Sequence, residues 1–128
     1  DFHPLNIMVN GESLSGIIDW VDAMVGEAQV DVALFSLLVE AAGYPELAKT
    51  FVAEYQQVSK LSLEEIDFYV TVLAIQKFLQ IPLQEKQMEE TGQVEKAEFL
   101  SSRLSILEKN FIKIIKENTN LSLCGFQP

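Results

Sequence analysis

The chain has 128 residues, 48% of them hydrophobic, which suits one folded domain and excludes a disordered composition. Nineteen acidic against nine basic residues leave a net charge of −10, which argues against nucleic acid as a partner because phosphate binding needs clustered Lys and Arg. The single cysteine, Cys124, rules out an intrachain disulfide and is expected to be inert.

The chain opens Asp1-Phe2-His3-Pro4-Leu5-Asn6. Ile7–Asn10 and Leu14–Ile18 follow as short apolar runs with β-branched residues, and Asn10-Gly11 between them is a strong turn signal. They predict a hairpin with Asn6 just before its first strand and Asp19 just after its second, so that its open end brings the two side by side. Trp20 to Gln29 reads as a loop, with Trp20 expected to serve packing. Asp31 then opens a helix apolar on most sides through Ala42, with Gly43 as its C′ residue. Pro45 starts the next helix, and Leu47, Phe51, Tyr55 and Val58 give it one apolar stripe.

Ser62-Leu63-Glu64-Glu65 has capping-box form. The helix after it is apolar around most of its circumference from Ile66 to Leu79 and is expected to be the most buried of the set. Pro82 is expected to end or kink it. Val94 to about Asn118 reads as a long amphipathic helix whose Leu100, Leu104, Leu107, Phe111 and Ile114 form one stripe, read as core with a partner surface as the alternative. The tail to Pro128 is expected to be loosely held. Charges interrupt every apolar stretch, so no segment is expected to cross a bilayer. With no basic n-region at the start, cytoplasmic residence is expected.

Two carboxylates and a carboxamide carry the chemistry. Asn6 lies five positions after Asp1, and Asp19 lies thirteen positions further on. Phosphoryl transfer from a nucleotide needs a carboxylate to orient the acceptor hydroxyl and take its proton late, together with hard oxygen ligands for Mg²⁺. The order fits a catalytic base, a first metal ligand and a second metal ligand.

The run from Asp1 to Val9, then Gly16-Ile17-Ile18-Asp19-Trp20, then Gly26 to Ala33 resembles the aminoglycoside phosphotransferase family and is similar to choline and homoserine kinases of that fold. The family's catalytic loop reads His-Gly-Asp-x-His-x-x-Asn, of which this chain has everything from the Asp onward. The match covers residues 1 to about 35, with a helical remainder of the same kind. The resemblance implies an α+β, mainly α fold: the C-terminal helical lobe of a protein-kinase-like enzyme, with a small catalytic β-hairpin. Residues 1–33 would hold the catalytic loop, hairpin and metal-binding segment, and residues 34–128 a helical subdomain. It implies Asp1 as base, Asn6 and Asp19 as Mg²⁺ ligands, Asp31 and His3 as braces of the catalytic loop, and ATP or GTP as co-substrate. Asp22 and Glu27 are candidate contacts for a small-molecule acceptor, including a cationic one, although solvated loop carboxylates are the plainer reading of both.

The nucleotide-gripping lobe that such enzymes need has no counterpart in these residues. The chain therefore reads as a fragment, expected to be inactive alone and to self-associate through apolar surface left uncovered. Two other classes stand beside this one. A non-catalytic helical interaction module would keep the loop as a relic. A metal-dependent hydrolase would use Asp1, His3 and Asp19, and stoichiometric zinc at His3 would distinguish it.

Overall fold

A computed structural model describes residues 2–21, 23, 25–91 and 94–119, with the backbone alone at 84, 85, 88, 89 and 94–104. The order is a 3₁₀ turn (Pro4–Asn6), β1 (Ile7–Asn10), β2 (Ser13–Ile17), α1 (Ala28–Ala41), α2 (Pro45–Ser59), α3 (Ile66–Glu90) and α4 (Val94–Thr119). It is mainly helical with one two-stranded antiparallel sheet among the described residues, in agreement with the α+β, mainly α class expected. The chain divides between Val70 and Thr71 into two units.

In the first unit the hairpin forms where its β-branched runs and Gly11 require it. Asn10 pairs with Ser13, leaving Gly11 and Glu12 as a two-residue turn. Gly11 has φ +61°, a value that glycine adopts without steric cost and that suits a primed hairpin turn. The register runs Ile7 to Ile17 and Met8 to Gly16, then shifts so that Val9 meets Leu14 and Asn10 meets Ser13. Ser15 is therefore an extra residue on β2, a bulge that bends the strand on its way to Asp19.

Helix α1 is the core element. Val32, Ala33, Leu34, Leu37, Val39 and Ala41 are all buried, with Leu37 and Val32 the largest fully buried side chains. It begins at Ala28 rather than at Asp31, which sits in its first turn. Nothing in Glu27-Ala28-Gln29 advertises that start, since Glu27 occupies the N-cap position without making a side-chain cap. The helix ends as expected. The Gly43 N–H donates to the Glu40 carbonyl (2.9 Å) and the Tyr44 N–H to the Val39 carbonyl (3.1 Å). With Gly43 at φ +96°, this is a Schellman motif.

Pro45 starts α2, and α1 packs against α2. An aromatic cluster tightens the joint: Phe35 and Phe51 have ring centroids 4.0 Å apart, and Phe2 stacks on Phe35 at 5.5 Å. The stripe expected on α2 is displaced. Ala48 is buried and Phe51 and Tyr55 half-buried, while Leu47 and Val58 are exposed. A leftward turn at Lys60 (φ +59°) closes the helix.

Helix α3 departs most from expectation. It starts at Ile66, past the Ser62 capping-box position, with the Ile66 N–H on the Leu63 carbonyl at 3.1 Å. It is not the most buried helix, since Phe68, Val72, Leu79 and Leu83 are exposed. It also continues through Pro82 to Glu90. Its Ile66–Leu83 stretch, with mean hydropathy 1.3, is long and apolar enough to cross a bilayer by length and composition, which the sequence reading had excluded. Core helices of soluble proteins have the same length and composition. In the second unit, Ala74, Ile81, Phe111, Ile114 and Ile115 are buried. Helix α4 has the limits expected, and Phe111 and Ile114 of its predicted stripe lie inside.

Candidate active site

The open end of the hairpin organises the site. His3 is extended (φ −151°, ψ 163°), and Pro4 sets the first position of the 3₁₀ turn. The Asn6 N–H closes that turn on the His3 carbonyl at 3.0 Å. Asn6 is one of the few buried polar residues, at 5% exposure. Its carbonyl accepts the Ile18 N–H at 2.9 Å, extending the pairing of the strands by one step. Asn6 and Asp19 therefore lie at the same end of one hairpin, Asn6 opposite the residue before Asp19.

Asp19 leaves β2 in the left-handed conformation (φ +59°), uncommon for a residue with a Cβ and tolerated best by Asn and Asp. It is exposed, and with Phe2, Ile17, Ile18, Trp20, Ala23 and Asp31 it lines a shallow cleft of about 80 Å³. The structure thus brings Asp19 and Asp31 to one cleft from opposite ends of a twelve-residue span. Asn6 is not among the cleft's lining residues, and neither is Glu27, which is exposed at the head of α1. His3 is half-buried. Asp1 and Asp22 lie outside the described residues.

Asp31 connects the cleft to the start of the chain. Its Oδ1 accepts the Phe2 N–H at 3.2 Å, a contact spanning 29 positions. Partial burial pushes the Asp31 carboxyl up. Hydrogen bonding to the carboxylate, that of the Phe2 N–H included, outweighs this and holds it below its ordinary value. Phe2 is fixed a second time through its ring, which stacks on Phe35 and lies 6.3 Å from Phe51.

Three residues of this site escaped the sequence reading. Phe2, Phe35 and Phe51 come from separate segments, and no local spacing links them. Trp20 was expected to serve packing. Instead it is 66% exposed, walls the cleft, and donates its indole Nε1–H to the Ile17 carbonyl at 2.9 Å. Among the described residues no group of three or more His, Cys, Asp or Glu is gathered in a way that would hold a metal ion.

The model of the phosphotransferase enzyme family, APH, matches residues 1–69. The chain belongs to that family. The match ends one residue short of Val70, where the first unit ends, so this phosphotransferase-family segment coincides with the unit that carries the hairpin and the cleft. It also extends well past residue 35, the limit of the resemblance read from motifs. No curated protein and no solved structure matches the chain.

Proposed function

We propose that the chain carries the acceptor-activating and metal-binding part of a kinase-like site, which transfers the γ-phosphate of ATP or GTP to the hydroxyl of a small molecule. The observation that carries this reading is the Asn6–Ile18 hydrogen bond. It sets positions 6 and 19 at one hairpin end within a segment matched by a phosphotransferase family model.

In this reading Asp1 orients the acceptor hydroxyl and takes its proton late in the transfer. The side-chain oxygens of Asn6 and Asp19 are the protein's ligands for Mg²⁺. Hard oxygen donors of this kind suit that ion, which keeps several waters and needs few protein ligands beside phosphates. When bound, the ion would neutralise charge on the phosphate oxygens. Asp31 holds the Phe2 N–H and so braces the catalytic loop, and His3 anchors the turn that carries Asn6. The helical unit is the C-terminal lobe of the kinase-like fold. The parts that grip the nucleotide would be supplied by sequence preceding Asp1.

The test is a chain extended upstream through that preceding sequence, assayed with ATP and GTP against hydroxyl-bearing metabolites and aminoglycosides. Transfer is expected with the extended chain and not with residues 1–128 alone. Asp1→Asn in the extended chain is expected to lower the rate about 10³-fold. An Asp1→Asn enzyme as fast as the parent would contradict the reading.

A further inference from the structure

We infer that Trp20 is a positioning residue, whose indole clips the end of β2 and holds Asp19 in the left-handed conformation that turns it to the cleft. The inference rests on the proposed role of Asp19 as a metal ligand, and it adds the part that keeps that ligand in place.

Asp19 has φ +59°, a conformation uncommon for a residue with a Cβ, and its surroundings help to hold it there. Two hydrogen bonds do so here. On one side the Ile18 N–H is held by the Asn6 carbonyl at 2.9 Å. On the other, the Trp20 Nε1–H reaches back across Asp19 to the Ile17 carbonyl at 2.9 Å. Ile18 and Asp19 are enclosed in the loop that this second bond closes. The turn continues beyond it, because the Trp20 carbonyl accepts the Ala23 N–H at 3.2 Å.

Burial does not account for the indole, which is 66% exposed. Its N–H is the only indole donor the chain possesses, since Trp20 is its single tryptophan. Phenylalanine at this position would keep an aromatic ring on the cleft wall and lose the clip. Trp20 also lines the same cleft as Asp19, so its fluorescence reports on whatever arrives there.

The experiment uses the full 128-residue chain and two replacements that remove the donor: Trp20→Phe, which also gives up the fused ring, and Trp20 replaced by benzothienylalanine, which keeps the fused-ring shape. Two quantities are read. The one-bond Cα–Hα coupling of Asp19 separates positive from negative φ. Mn²⁺ affinity without nucleotide reports the ligand. Both replacements are expected to abolish the positive-φ signature of Asp19 and to weaken Mn²⁺ binding about five-fold, the scale of one exposed neutral hydrogen bond. The melting temperature is expected to stay close to that of the parent chain. Retention of both the coupling and the affinity in either replacement would overturn the inference. If Trp20→Phe does not fold, the isosteric replacement decides. If the parent chain binds no Mn²⁺ at Asp19, the metal reading falls, and the coupling alone decides whether Trp20 holds the backbone.

Discussion

Asp31 is placed where opposing effects meet, because the burial that raises its pKa is outweighed by the hydrogen bonding that lowers it. The sign of its pH effect follows. A carboxylate whose folded pKa lies below its ordinary 3.8 stabilises the fold fully above that pH. The contribution is lost only as pH falls through the lower folded value. Asp31→Asn keeps the shape and removes the charge. It is expected to reduce stability at neutral pH and to flatten the acid limb of an unfolding curve below pH 3.8, as read by urea melts across that range. That Asp31 lies at the start of a helix was legible in the sequence, from the apolar run that follows it. Its partner was not legible, since a backbone N–H at position 2 leaves no mark in residue identity.

At the scale of elements, the hairpin was readable because turn chemistry and β-branched runs agree locally. Gly43 and Pro45 were readable for the same reason, each being a residue whose backbone preference matches one cap position. What failed was inference from circumference. Helix α3 is apolar on most sides, yet Phe68 is 64% exposed and Leu83 67%. Counting apolar residues says how much surface seeks burial and not whether a partner exists to cover it. The bulge at Ser15 was equally silent, because a register shift is a relation between two strands. Lys60 offers a test at this scale. It closes α2 at φ +59° with its N–H on the Gln56 carbonyl at 2.9 Å, a position that glycine would fill without strain. Lys60→Gly is expected to stabilise the chain by about 1 kcal/mol, and Lys60→Val to destabilise it by at least as much, measured by chemical unfolding.

At the scale of the molecule, the first unit holds the hairpin, the aromatic cluster and the cleft, and the family match ends at its border. The aromatic cluster is what lets so small a sheet serve as a platform. A two-stranded hairpin is marginal on its own, and here the segment leading into it is tied to α1 by the Phe2 N–H and to α1 and α2 by stacked rings. The net charge of −10 has a consequence for any metal experiment. Divalent cations will gather loosely around such a chain, so the place of binding, and not binding itself, carries the information.

Paramagnetic broadening by sub-stoichiometric Mn²⁺, mapped residue by residue on the 128-residue chain, therefore tests the central claim most directly. Resonances of Asn6, Ile18 and Asp19 are expected to broaden first, while those of Glu46, Glu64 and Phe111 stay sharp. Broadening spread evenly over the surface carboxylates, with Asn6 and Asp19 no more affected than Glu46, would contradict it.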